Sequence, residues 1–153
     1  MPIKHKIPSE FKILRVRECA SSYPCDSGQK IYDYWQGNIP QADWHDADRE
    51  HLVVLLHNTR LNPIGHHLIS VGTSQECLCH PREVLRPAII HAAYGFTLMH
   101  NHPSGDPTPS ASDHRITKRL RDASDIMQIN FIDHLIIGRD QTPFFSFREA
   151  GIL

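Results

Sequence analysis

The spacing of apolar positions changes repeatedly along the chain, and each change marks an element. Residues 10–19 (EFKILRVREC) alternate well enough for a strand, at a sheet edge. PCDSG then punctuates the chain, and Asp26 or Ser27 is placed to cap a helix over GQKIYDYWQGN, ended by Gly37 and Asn38. EHLVVLLHN (50–58) is apolar on both faces, as a central strand requires. TRLNP turns the chain, and IGHHLISVG (64–72) returns as the second strand of a hairpin. QECLCH (75–80) reads as a short strand or extended piece. Pro81 fits the first turn of a helix over PREVLRPAIIHAAYG, in which Pro87 predicts a kink or break and Gly95 the stop. FTLMHN (96–101) is a strand. DHRITKRLRDASDIM (113–127) is a helix with Ile116, Leu120, Ala123 and Met127 along one face. INFIDHLIIG (129–138) is another strand, and PFFSF supplies the last. Strands and helices mix without strict alternation. The expected class is therefore α/β of the α+β type, a mixed sheet with helices packed on its faces.

Composition narrows the setting. A chain of 153 residues with 40 % hydrophobic and 22 % charged positions suits one globular domain. No apolar run is long enough for a bilayer, and the start MPIKHKIPSEFK has no apolar signal core, so the expected address is the cytoplasm. A net charge of -1 lacks the basic surplus usual in nucleic-acid binders. HRITKRLR (114–121) is a local exception, with Arg115, Lys118, Arg119 and Arg121 close together. It reads as a solvated helix face, the alternative being a basic rim that draws in an anionic substrate. Cys19, Cys25, Cys77 and Cys79 are expected as thiols rather than bridges. CLCH (77–80) does not have zinc-finger spacing, and strand alternation accounts for Cys77 and Cys79.

The segment LMHNHPSGDPTPSASDH (98–114) changes the picture. Residues two apart on a strand point to the same side, so His100 and His102 present their imidazoles together while Asn101 faces away. Pro103 ends regular pairing there. Asp113 lies two helical turns before Leu120, on the inward face of the following helix, whose first turn directs it back to the strand ends. Pro103, Pro107 and Pro109 stiffen the loop between. Two histidines and a carboxylate are a common zinc triad that leaves the fourth position to water, although nickel, cobalt or iron also take such donors. The plainer reading is a capping box, with Ser110 at the N-cap and Asp113 three residues on. The combination of apolar strand, rigid loop and three donors favours the metal. Hydrolysis at a metal wants a general base, for which Glu50, Glu76, Glu83 and Asp133 are the candidates. Glu83 is already explained by the helix dipole. Asp133 and His134 are either partners that orient a ligand or residues on the exposed face of their strand, and the second reading is preferred.

HNHPSGDPTPSASDH closely resembles the motif of the RadC-like branch of the JAB/MPN (JAMM) metalloprotease superfamily: His-x-His, seven residues, Ser, two residues, Asp. REHLVVLLHNTRLNPIG, SVGT, HPREVLRPAI and DHLIIG extend the likeness over residues 27–153, leaving residues 1–26 as a leader with a possible edge strand. The resemblance implies a curved mixed β-sheet flanked by helices, with JAB/MPN and cytidine-deaminase-like architecture. It implies a Zn2+ ion on His100, His102 and Asp113, with Ser110 helping to hold the oxyanion of a tetrahedral intermediate. The superfamily's catalytic glutamate heads a central strand after a helix, which Glu50 matches. Deubiquitinating members have a glycine three residues later where this chain has Val53, so Glu50 is assigned by strand position. RadC-like proteins often carry an upstream helix-hairpin-helix module for DNA, and the leader here is too short to contain one.

These readings imply a zinc-dependent metallopeptidase or isopeptidase acting on a peptide or protein substrate. The alternatives are a DNA-repair-associated accessory protein or metal-dependent nuclease, whose DNA binding would weaken steeply with salt, and a non-catalytic JAB/MPN binding module. Direct nucleic-acid binding and oligomeric state stay open at this point, and no membrane partner is expected.

Overall fold

Two strands with apolar residues on both faces must be covered on both sides, and the chain supplies a helix layer for each. The computed structural model describes residues 23–72, 79–139 and 141–153. The expected strand over 10–19, with Cys19, Glu76 and Cys77, lies outside the described residues. Ser27 caps α1 (Gly28–Asn38), its side chain accepting from the Lys30 amide. The helix ends at Gly37 and Asn38 as expected, and the Ile39 amide closes it with a bond to the Trp35 carbonyl. β1 (Glu50–His57) and β2 (Pro63–Gly72) form the expected antiparallel hairpin, from Glu50 opposite Gly72 to His57 opposite Pro63.

α2 (Pro81–Ile90) runs through Pro87 and stops well short of Gly95. Pro87 lacks the amide that would bond back along the helix, so little helix is sustained beyond it. Ala92 then takes a left-handed φ of 48°, and the Ala93 amide closes the end on the Ala88 carbonyl. Gly95 opens β3 (Gly95–Asn101) instead of ending the helix. A Cβ at Gly95 would stand 2.6 Å from the Asn130 carbonyl oxygen, which explains the residue's identity there.

β3 pairs antiparallel with β1 on one side and parallel with β4 (Asn130–Ile137) on the other. The crossover between the parallel strands is α3 (Ala111–Met127), and β5 (Phe144–Ser146) pairs antiparallel with the end of β4. Among the described residues the result is a five-stranded mixed sheet, β2-β1-β3-β4-β5, flanked by three helices. Alternation sorts the core. Leu52, Val54, Leu56, Phe96 and Leu98 pack toward Val84, Leu85 and Leu120 on one face. Val53, Leu55, Met99, Leu135 and Ile137 pack toward Ile31 and Trp35 of α1 on the other.

The buried stripe of α3 is Asp113, Thr117, Leu120 and Ser124. It is rotated from the apolar stripe expected of Ile116, Leu120, Ala123 and Met127, since Met127 is exposed while polar Thr117 is buried. Cys25 and Cys79 are buried thiols. Among the described residues no helix is long and apolar enough to cross a membrane.

One buried histidine ties stability to pH. His57 sits in β1 with Nε2 2.9 Å from Thr97 Oγ1 and Nδ1 3.2 Å from the Leu61 carbonyl oxygen. Burial pushes its pKa down from 6.5 to about 4. The unfolded chain protonates this group near 6.5 and the folded chain does not, so its contribution is present above pH 6.5 and is lost as pH falls toward 4. Chemical denaturation across that window should show a decline of about 3 kcal/mol from this residue. The His57→Gln variant should lose that part of the slope.

Candidate metal centre

Both histidines stand where β3 gives way to a loop. His100 lies in the strand, opposite Leu52 of β1 and Ile136 of β4. His102 is just past the strand end, where its amide still bonds the Ile137 carbonyl. The loop that follows is fixed at several points. Gly105 takes φ 90°, its carbonyl accepts from the Arg139 amide, and Gly138 passes so close that an added Cβ would meet Gly105 O at 2.6 Å. Asp106 accepts from both the amide and the hydroxyl of Thr108, at 2.9 and 2.6 Å. The proline-rich run is thereby held in one shape, and it delivers Ser110 to the start of α3.

The capping box and the cluster of donors turn out to be one structure. Ser110 Oγ accepts from the Asp113 amide at 3.1 Å and donates to Asp113 Oδ2 at 2.8 Å, and the Ser110 amide donates to the same oxygen at 2.7 Å. These bonds aim the carboxylate at the strand end. Asp113 Oδ1 lies 3.2 Å from His100 Nε2, Oδ2 lies 3.3 Å from His102 Nε2, and the two Nε2 atoms are 3.1 Å apart. One donor atom from each of the three residues falls within 4.8 Å of the others.

The donor set passes a geometric test. Tetrahedral zinc with bonds of about 2.0–2.1 Å sets its ligand atoms about 3.3 Å apart, which is the spacing found here. His102 Nδ1 lies 2.8 Å from the Asp106 carbonyl oxygen, which can only accept. That nitrogen therefore carries the proton and leaves the Nε2 lone pair directed at the cluster. Charges set the competition that a metal would face, because the second proton that a raised His102 pKa favours sits on this same Nε2. Burial works against ionised Asp113, but the facing imidazoles, when protonated, outweigh it and hold the carboxyl well below its usual range, so the carboxylate is ionised. Burial works against a protonated His102, and the Asp113 bond, the Asp106 carbonyl and the charges of Asp113 and Glu50 outweigh it, raising its pKa.

Glu50 heads β1, half-buried, two residues before the strand partner of His100 and so on the same side of the sheet. Asn101 holds it there. Its side chain points to the opposite face from His100, as expected, but is not idle: Oδ1 accepts from the His51 amide at 2.9 Å and Nδ2 donates to the Arg49 carbonyl at 2.9 Å. These bonds grip the backbone on both sides of Glu50. Asp133 and His134, expected on an exposed face, are both fully buried. As neighbours on a strand they take opposite faces: α3 packs over His134 through Thr117, and the 146–149 turn folds against Asp133, which accepts from Ser146 Oγ and the Arg148 amide. Glu83 pairs with Arg82 and Arg86 on the surface of α2. In the basic segment of α3, Lys118 pairs with Asp122 and Arg121 bonds the Ile152 carbonyl.

Sequence reasoning passed over two contributors. Thr117 gave no signal beyond its place one turn after Asp113, and Asn101 was hidden by its position between two histidines. The Asn101→Ala variant should lose about 1–3 kcal/mol of stability, because it strips a buried amide of its acceptor. Hydrogen exchange should show protection lost at the His51 amide and retained in the centre of β1.

Comparison with known proteins places these features in a lineage. The family model described as RadC-like JAB domain matches residues 25–152. A UPF0758 protein of Thermotoga maritima is 44 % identical over 128 residues, covering 84 % of this chain and 54 % of its own. UPF0758 proteins of Chlorobaculum parvum and Pelodictyon phaeoclathratiforme are 42 % and 43 % identical over 125 and 127 residues. These matches cover 82 % and 83 % of this chain, and 53 % and 54 % of theirs. The chain thus spans about half the length of the curated relatives it matches.

Proposed function

The chain belongs to the RadC-like JAB domain family, and from that premise we propose that it is a zinc-dependent hydrolase of peptide or isopeptide bonds. The observation that carries the proposal is the convergence of His100 Nε2, His102 Nε2 and a carboxylate oxygen of Asp113 at ligand spacing. These three residues would hold the ion. When bound, zinc supplies an acidified water near neutral pH and a Lewis acid for a carbonyl oxygen.

The protein's own groups divide the remaining work. Glu50, at the head of β1 on the side of His100, takes the proton from the attacking water and returns it to the departing amine. Asn101 fixes the backbone that carries it. Ser110 has two duties in this proposal. It holds Asp113 in place, and by turning its hydroxyl proton away from Asp113 Oδ2 it can stabilise an oxyanion at the carbonyl under attack. Open space beside the cluster supports a polymeric substrate. A cleft of about 220 Å³ lined by Trp35, His45 and Arg139 adjoins His102, and a groove of about 900 Å³ runs along Gly105–Pro109 toward Phe145. The cytoplasm remains the proposed address.

Elemental analysis of the purified protein should find zinc, lost in His100→Ala and Asp113→Ala with the fold retained. Glu50→Gln should keep the metal and lose about 10²–10⁴-fold in turnover against a pooled peptide and isopeptide library. Stoichiometric zinc without hydrolysis would leave a metal-bound binding module. DNA binding that falls steeply with salt would favour the nucleic-acid alternative.

A further inference from the structure

Behind His100 lies a line of buried polar groups that the proposed reaction does not use. His100 Nδ1 is 2.9 Å from His134 Nε2, His134 Nδ1 is 2.7 Å from Thr117 Oγ1, and Thr117 Oγ1 is 2.6 Å from the Asp113 carbonyl oxygen. His134 and Thr117 are fully or nearly fully buried, at 0 % and 3 % exposure. Phe147 stacks on the His134 imidazole at 4.7 Å and 9°, which sets the plane of the ring. Groups so deeply buried are shielded from bulk solvent, so their protons are assigned within the line.

The assignment has one solution. The Asp113 carbonyl cannot donate, so the proton between it and Thr117 belongs to the threonine hydroxyl. That hydroxyl has no second proton, so His134 Nδ1 must donate to it. Neutral His134 then has a lone pair on Nε2 and can only accept from His100. His100 therefore carries a proton on Nδ1, and in the neutral imidazole its Nε2 is left unprotonated toward His102 and Asp113. The reverse order would set two oxygen lone pairs face to face at 2.6 Å between Thr117 and Asp113.

We propose that Thr117 and His134 are positioning residues that lock His100 in the Nδ1–H tautomer and so keep its Nε2 ready for a metal ion. The inference rests on reading His100 as a ligand, and it adds a built-in register. The line begins on the backbone of Asp113, the third ligand, so one residue both contributes a donor and anchors the tautomer of another. A ligand histidine whose outer nitrogen is so held should bind metal about 10–100-fold more tightly than one whose partner is removed.

The test uses the full chain. Long-range ¹H–¹⁵N spectra of the metal-free, ¹⁵N-labelled protein at pH 8.5 read the histidine tautomers directly. His100 is expected as Nδ1–H, and finding it as Nε2–H overturns the proposal. Zn2+ affinity, measured by competition with a chromophoric chelator, should fall about tenfold or more in Thr117→Val and recover to within about threefold of wild type in Thr117→Ser. In a His134→Ala background, Thr117→Val should cost nothing further; a full additional loss would overturn the relay, because Thr117 would then act without His134. Unchanged affinity in Thr117→Val also overturns it. Should His134→Ala fail to fold, the threonine pair and the wild-type spectrum still decide. Wild-type protein that takes up no Zn2+ would sink the proposed function, while the metal-free spectrum would still decide the tautomer lock.

Discussion

Two parallel neighbours cannot be joined by a tight turn; the chain must travel back along the sheet before it can start the second strand. Pairing β3 with β4 in parallel imposes that return journey on residues 102–129. The chain leaves β3 at the end of the sheet where His100 and His102 stand. α3 begins at that same end because it has to run back toward the start of β4. Its N-terminus therefore faces the histidines for a topological reason, and Asp113 in its first turn is brought to them without any special device. The antiparallel pairing of β1 with β3 adds Glu50, since the head of β1 lies at the same end.

The plain and the functional explanations of Ser110 and Asp113 prove compatible. A capping box leaves a carboxylate with two oxygens, and only Oδ2 takes the bonds from the Ser110 amide and hydroxyl. Oδ1 faces His100. Burying a carboxylate is costly unless it is well bonded, and here helix capping and the imidazoles share the task. The same economy recurs in Thr117, whose hydroxyl both satisfies a helix carbonyl and steers His134.

Most of this was legible in the sequence where a residue's neighbours along the chain decide its role. Period two through FTLMHN and the proline-rich run placed the histidines, and S-x-x-D marks the N-cap at Ser110, so that the helix expected from Asp113 begins two residues earlier at Ala111. Reading failed where packing from distant segments decides. Asp133 and His134 look like exposed polar residues in an apolar strand until the turn around Ser146 and the Thr117 face of α3 close over them. α2 ended early because a proline is felt only after the turn it weakens, and Gly95 was needed by a neighbouring strand rather than by the helix before it. Asn101 could not be assigned from its own surroundings, since its partners are about fifty residues away in sequence.

The three donor side chains differ in how they meet solvent: His100 is 1 % exposed, Asp113 10 % and His102 16 %. The cluster is closed on the side of His100 and meets solvent through Asp113 and His102. For a hydrolase of the kind proposed, ion, substrate and product would share the open side, and a polypeptide laid across it would cover the three donors. In such a protein, charging with metal would precede capture of substrate, and release of product would precede exchange of the ion.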